Sequence, residues 1–131
     1  MKSHLLLAPL LAASAAAFAG PYDQPYSIIE DDSIRSADPK VIHVLVNRVD
    51  DRNALDIRHA VVPPGRHDVT VDVPPRRGFP ATQHTFELVT EPCMRYSISA
   101  QLDNVLLQRW KPIVRDQERI GECEAKFALG R

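Results

Sequence analysis

The stretch His67-Asp68-Val69-Thr70-Val71-Asp72-Val73 decides the fold class, because its residue types alternate from one position to the next. The three valines fall on one side of this alternation, and the two aspartates and the threonine fall on the other. Successive side chains of a strand point to opposite faces, so a period of two predicts a half-buried β-strand. We expect the valines to face a core, with His67 at its rim.

Other segments have the composition of short strands, and clusters of proline, glycine, aspartate and asparagine separate them. Val41–Val46 is rich in β-branched residues on both faces, which is typical of a buried strand. Pro112 makes the segment 105–114 an edge strand or an irregular one. We find no helix of useful length, because the closest candidate, residues 117–129, lacks an apolar stripe and contains Gly121. The predicted strands are residues 41–46, 57–62, 67–73, 83–89, 94–101, 105–114 and 118–123.

This pattern predicts an all-β fold, a small antiparallel β-sandwich of about seven strands. We assign residues 41–131 to this domain. Residues 20–40 carry three prolines and the acidic run Glu30-Asp31-Asp32, and we expect them to form an extended, poorly ordered leader.

The first residues have the features of a secretory signal. A head with one lysine precedes the uncharged apolar run Leu5–Phe18, which closes on Ala17-Phe18-Ala19. This order predicts a signal peptide over residues 1–19, cleaved before Gly20. The alternative is a buried N-terminal helix. The apolar run is shorter than the roughly 20 residues of a membrane span, and no cysteine follows it. We therefore expect a periplasmic or secreted protein with no lipid anchor and no membrane insertion of the mature chain.

The charge balance excludes one class of partner. Removal of residues 1–19 takes away one lysine and no acidic residue, so the formal net charge changes from −1 to −2. Nucleic-acid binding draws on a clear excess of basic residues, and this chain has none. We expect no nucleic acid among its partners.

The mature chain contains two cysteines, Cys93 and Cys123. In an exported protein an even number of cysteines indicates a disulfide, and two cysteines allow a single intramolecular pairing. A redox or metal-ligand pair is the alternative, but there is no Cys-x-x-Cys motif, and the histidine nearest to either cysteine, His84, is nine residues before Cys93. We predict a Cys93–Cys123 disulfide that joins the strand beginning near Met94 to the last strand.

A strand that enters Pro63-Pro64-Gly65 and continues into the alternating valine strand resembles the second hairpin of PEGA-type small extracellular β-sandwich domains. The resemblance covers about 15 residues, and the Pro-Glu-Gly-Ala motif of that family is absent upstream. The segments around Cys93 and Cys123 also resemble a paired-cysteine pattern of uncharacterised bacterial exported proteins. The PEGA resemblance implies a module without catalytic activity in the cell envelope or outside the cell.

Motifs that carry catalysis are absent. The chain has no Gly-x-Ser-x-Gly elbow, no His-Glu-x-x-His and no phosphate-binding glycine loop. The acidic neighbours Asp50-Asp51 lie in a predicted turn, where adjacency does not make an acid–base pair. We expect neither an enzyme nor a cofactor.

Four histidines, His43, His59, His67 and His84, are the candidate metal ligands, since each falls on a predicted strand and imidazole binds copper and zinc. If Pro63-Pro64 forms a hairpin tip, position 59 faces Asp68, and the two side chains pair. No His-x-His motif supports a shared site. We therefore predict no metal, and four separate half-exposed histidines are the simpler interpretation.

The loop Arg76-Arg77-Gly78-Phe79, stiffened by flanking prolines, is the candidate partner-binding surface together with Trp110. Arginine and aromatic side chains are common at the energetic centre of interfaces. A solubilising loop and a buried tryptophan are the alternatives. We expect an exported binding module of the bacterial cell envelope whose partner is a protein or an envelope polymer. A periplasmic metal-binding protein and a secreted hydrolase inhibitor are the alternative functions.

Overall fold

The computed structural model describes residues 20–32, 36–54, 59–106 and 108–128, so the predicted signal peptide lies outside the described residues. The described part contains nine strands and one helix, and seven of the strands have four or more residues. The strands are β1 (Ser27–Asp31), β2 (Val41–Ile42), β3 (Leu45–Val49), β4 (Arg52–Asn53), β5 (His59–Val62), β6 (Gly65–Val73), β7 (Thr82–Thr90), β8 (Met94–Leu102) and β9 (Trp110–Arg119), and the helix is α1 (Gly121–Phe127).

These strands form two sheets that pack face to face. In the first sheet β8 lies between β9 on one edge and β1 on the other, and β5 follows β1. The short strand β2 pairs with the end of β8, beyond β1. The second sheet has the order β4-β3-β6-β7. The predicted all-β sandwich is confirmed; within the described residues only β1 and β8 run parallel.

The core lies between the sheets, where the predicted valine face is found. Val69, Val71 and Val73 are at most 1% exposed and pack with Ile29 and Ile98 of the opposite sheet. Full burial of one such side chain contributes roughly 1.5–3 kcal/mol to stability. His67 lies on the same face and is also buried, as expected for the rim of this core.

The predicted leader is wrong for residues 27–31, which form the central strand β1. It pairs with β5 on one side and β8 on the other, and Ile29 is 0% exposed. The three prolines and the acidic run argued for an exposed segment. Ser27-Ile28-Ile29 nevertheless enters the sheet because both of its edges find partners that are distant in sequence. The domain therefore begins before Val41.

Two predicted elements change sheets in their middle. Val41–Val46 is not one strand: β2 belongs to the first sheet and β3 to the second, and the chain crosses at His43-Val44. Pro63-Pro64 is likewise not a hairpin tip, because β5 pairs with β1 while β6 pairs with β3 and β7. Gly65, with a φ of 134°, lies at this second crossing. Ile42, Val44 and Val46, at alternate positions, contribute to the core, whereas Val41 and Leu45 on the other face are half-buried.

The C-terminal region differs from the predicted last strand over 118–123. β9 ends at Arg119, and residues 121–127 form the helix α1. Acidic Glu122 and Glu124 in the first turn and Lys126 in the last turn complement the helix dipole. The disulfide Cys93–Cys123 is present, and it joins the start of β8 to this helix rather than to a strand.

Candidate functional site

Two loops meet at one end of the sandwich, which we call the loop end. One connects β6 to β7 and the other connects β8 to β9. The pairs Val73↔Thr82 and Leu102↔Trp110 bring these strands to the same end. The indole Nε1 of Trp110 donates to Thr82 Oγ1 at 2.8 Å, which joins the two sheets at the base of the loops.

The first loop is a tight turn that presents the two predicted arginines. The backbone N–H groups of Arg76 and Phe79 each donate to the other's carbonyl oxygen, at 3.0 and 2.7 Å. Gly78, with a φ of 82°, occupies the position of a type II turn that favours glycine. Arg76 and Arg77 are exposed, and the Arg76 guanidinium lies 5.6 Å from the centre of the half-buried Phe79 ring. The structure therefore brings Arg76, Arg77 and Phe79 together on one ordered turn.

The second loop presents apolar side chains that the sequence analysis had placed in a strand. Leu106 is 78% exposed and Val105 is 45% exposed. The Asp103 N–H donates to the Arg109 carbonyl oxygen at 3.0 Å, which closes the loop. The side chain of Asn104 accepts from the Leu106 N–H at 2.9 Å. The Asp103-Asn104 turn signal marked the start of this loop, but the apolar run after it masked its length.

The two loops contact each other directly. The side-chain amide of Gln108 donates to the carbonyl oxygen of Pro80 in the first loop. The loop end is therefore one surface, and Val105 and Leu106 are residues of it that the sequence analysis missed.

Trp110 is not part of that surface, because it is 4% exposed and belongs to the main core. This burial contradicts the predicted contact between Trp110 and a partner. Its ring lies 4.3 Å from that of His84. The tryptophan is also remote from the disulfide, which belongs to a second apolar cluster with Tyr26, Ile28 and Ile120. Trp110 supports the loops from below.

The histidines are distributed over the molecule, and His43, His67 and His84 each contact different residues. His43 Nδ1 lies 3.2 Å from the Asp32 carbonyl oxygen, and the His84 ring contacts the Trp110 ring at an angle of 54°. His59 faces Glu30 across β1 and β5, so the predicted pairing with Asp68 is wrong, and Asp68 faces Glu87 instead. Among the described residues no three His, Cys, Asp or Glu side chains gather as a metal site would require.

His67 has the closest contacts of the four. Its Nδ1 contacts the Asp50 carboxylate, and its Nε2 lies 2.6 Å from the Pro63 carbonyl oxygen. Both neighbours are acceptors, so a ring that carries both protons donates to both. The other oxygen of Asp50 accepts from the Asp68 N–H at 2.8 Å. Both ring nitrogens are therefore engaged inside the protein, which leaves neither for a metal ion.

These contacts also change the acidity of Asp50. Burial alone would raise the pKa of this carboxyl group, but hydrogen bonds from His67 and the Asp68 N–H, with the charges of His67 and Arg52, outweigh it. The net result is a pKa below its ordinary value of 3.8. The carboxylate remains charged at neutral pH and holds the turn between β3 and β4 against β6.

An open cleft of about 810 Å³ lies between the two sheets on the side of β4 and β5. The β3–β4 hairpin forms one wall and β5 forms the other, and residues 20–24 contribute to its rim. The cleft brings His59 and His67 to one region of the surface, while His43 and His84 lie elsewhere. Its size is that of a small-molecule pocket.

A buried carboxylate lies beneath the crossing at His43-Val44. Asp32 is 6% exposed, and it accepts from Ser99 Oγ at 3.0 Å and from the Arg115 guanidinium at 2.6 Å. Its neighbour Asp31 accepts from the Val46 N–H at 2.6 Å. The acidic run that suggested an exposed leader thus joins the two sheets.

No family model, no curated protein and no solved structure matches this chain. The resemblance to PEGA-type domains stays a prediction. In the part of the chain that the structure describes, no helix is both long and apolar enough to cross a membrane.

Proposed function

We propose that this chain is an exported, non-catalytic binding module of the bacterial cell envelope, in the periplasm or outside the cell. It contacts a protein or envelope polymer through the loop end. The secretory features of residues 1–19 support the location, as does the disulfide Cys93–Cys123, because disulfides persist in oxidising compartments.

The observation that carries this proposal is that hydrogen bonds fix the conformation of the two loops. Arg76 and Phe79 close their turn with two backbone hydrogen bonds, and Gln108 links the second loop to Pro80. A surface that is ordered before binding loses little conformational entropy when a partner arrives. Exposed arginines beside exposed Val105 and Leu106 also have the composition of binding hot spots and apolar contact patches.

The absence of catalytic motifs from the sequence supports a binding role over an enzymatic one. The closest candidate for an acid–base pair is Asp50–His67. His67 Nε2 contacts the Pro63 carbonyl oxygen, and Asp50 accepts from the Asp68 N–H. A general base needs a free nitrogen within reach of a substrate. This pair therefore acts as a structural clasp.

The test captures partners from envelope extracts by cross-linking and mass spectrometry. We expect the double variant Arg76→Gln, Arg77→Gln to lose about tenfold or more of the partner captured by the wild type, at an unchanged melting temperature. Each side chain is exposed, and a hot-spot arginine contributes about 2 kcal/mol to binding.

The matched control replaces two exposed arginines remote from the loop end, Arg66→Gln and Arg119→Gln. Their ion pairs with Glu87 and Glu124 are at the surface and contribute little to stability. Equal capture by the loop-end variant, the control and the wild type would show that the loop end does not bind the partner.

A further inference from the structure

The cations of the loop end are concentrated beyond what the whole chain suggests. Five basic residues lie in its loops or at the adjoining strand start: Lys40, Arg76, Arg77, Arg109 and Lys111. Lys40 is included because its carbonyl oxygen accepts from the Leu102 N–H at 2.7 Å. The acidic residues of the same loops are Asp38 and Asp103. Asp72 lies one residue inside β6, as Lys111 lies one residue inside β9, and it is the third carboxylate at this end. A local excess of two positive charges therefore exists in a mature chain whose formal net charge is −2.

Asp72, the strand carboxylate at this end, has hydrogen-bond partners within its own sheet. Asp72 is one residue from the end of β6, and it accepts from the side-chain amides of Asn47 and Gln83 at 2.6 and 2.8 Å. These contacts hold it on the outer face of the second sheet, beside the loop end. The exposed side chains Arg76, Arg77 and Arg109 belong to the loops themselves.

An apolar tip lies at the same end of the sandwich as these cations. Val105 and Leu106 are two of the four large hydrophobic side chains that are most exposed in the described part of the chain. Leu106, at 78%, is the most exposed of them, and the Asn104 side chain fixes its backbone N–H. Cations alone suit any polyanion in water. An apolar pair exposed at the same end of the molecule as the cations suits a partner that offers hydrocarbon behind a layer of negative charge.

We propose that the loop end binds the surface of a membrane that contains anionic phospholipid. The arginines and lysines contact the phosphate groups, and Val105 and Leu106 enter the boundary between headgroups and acyl chains. The protein lies on the membrane and does not span it. This inference rests on the proposed function, since it uses the same binding surface, but it makes the membrane the partner in place of a protein or envelope polymer.

The test measures co-sedimentation of the purified, exported protein with vesicles. One vesicle type is pure phosphatidylcholine, and the other contains equal parts of phosphatidylcholine and phosphatidylglycerol. We expect binding to the anionic vesicles alone, and weaker binding as salt screens the charges. Any residual N-terminal apolar segment would bind both vesicle types, so the difference between them isolates the loop end.

Two variants separate the apolar and the charged contributions. Leu106→Ser removes the tip, and we expect it to weaken binding about tenfold. Arg76→Gln with Arg77→Gln should weaken binding about fivefold for each cation removed. The matched controls are Val89→Ser and the double variant Arg66→Gln, Arg119→Gln. Val89 is 61% exposed on β7, away from the loop end, so both controls should bind like the wild type.

The outcomes distinguish the two proposals. If the protein binds neither vesicle type, or if the controls weaken binding as much as the loop-end variants, the membrane inference is overturned. If vesicles are not bound while Arg76→Gln, Arg77→Gln still loses a protein partner in the capture experiment, the binding module stands and its partner is a protein. If the protein binds no vesicles and the Arg76→Gln, Arg77→Gln variant captures as much partner as the wild type, both proposals are overturned.

Discussion

At the scale of single residues, Asp50 shows how one carboxylate can hold two distant segments together. Asp50 and Asp51 have φ angles of 49° and 65°, so they form the two-residue turn between β3 and β4 in the left-handed region. Aspartate tolerates this region better than most residues. The turn aims the Asp50 side chain at His67 and at the Asp68 backbone on β6.

The change Asp50→Asn should reveal the charge of this clasp. The native pKa of Asp50 lies below its unfolded value, so its contribution to stability is present above about pH 4 and is lost as the pH falls through the native pKa. We expect the variant to be less stable than the wild type by about 1 kcal/mol above about pH 5. The difference should shrink toward zero as the pH falls below the native pKa of Asp50.

Urea unfolding of the wild type and the variant at two pH values, one above about pH 5 and one below the native pKa of Asp50, measures this difference. Asp51→Asn is the matched control, because it changes the neighbouring turn residue with the same left-handed backbone. A loss of stability for Asp50→Asn that is equal at both pH values would contradict a role for the charge.

The sequence predicted which face His67 occupies, because the valine alternation fixes it. It did not predict Asp50 as the partner. That contact depends on the crossing of two strands and on positive φ angles 17 residues earlier in the chain, neither of which leaves a periodic signal. The burial of Trp110 likewise involves a contact between the two sheets, with Thr82, that leaves no periodic signal in the sequence.

At the scale of elements, the chain repeatedly leaves one sheet for the other at points that local sequence describes as continuous or as a hairpin. Periodicity records which side chains face inward, and it is blind to which sheet receives them. The half-strands β2 and β3 have the same inward pattern as one strand would. Pro63-Pro64 interrupts strand pairing in either case, and pairing resumes at Gly65. The run Val69–Val73 was predictable because both of its neighbours lie in one sheet.

The glycine at the second crossing provides a test at this scale. An added Cβ meets no atom within 4 Å at Gly65 or at Gly121, so any difference between them comes from the backbone alone. Gly65 has a φ of 134°, which side chains disfavour, and we expect Gly65→Ala to destabilise the fold by about 1–3 kcal/mol. Gly121 begins α1, and Gly121→Ala should stabilise by up to about 1 kcal/mol.

Thermal unfolding of both variants measures these opposite shifts. Two variants that lower the melting temperature equally would show that the crossing does not require glycine at position 65.

At the scale of the whole molecule, a disulfide at one end and linked loops at the other bound the sandwich. The disulfide joins residues 30 positions apart, and with Tyr26, Ile28 and Ile120 it forms an apolar cluster separate from the main core. The chain therefore reinforces the end where its terminal segments meet, and it leaves the opposite end to present side chains.

Removal of the bridge should cost much of the total stability. A closed loop of this length restricts the unfolded chain by about 3–4 kcal/mol, against a total of about 5–15 kcal/mol for a typical domain. We expect Cys93→Ala with Cys123→Ala to lower the free energy of unfolding by that amount. Urea unfolding with and without reductant measures it: reductant should lower the midpoint of the wild type and leave that of the variant unchanged. Identical urea midpoints for the wild type and the variant, both measured without reductant, would contradict this role.

The parallel pairing of β1 with β8 has a consequence for the order in which the chain becomes native. A chain that is delivered through a translocation channel N-terminus first releases Ser27 long before Met94, its partner across the sheet. Until β8 arrives, one edge of β1 has no native neighbour, and Cys93, which precedes β8, has yet to reach the oxidising side. Pairing between such distant segments is slow to form. If the chain is exported as proposed, the first sheet and the disulfide are therefore completed only when the last third of the polypeptide has been delivered.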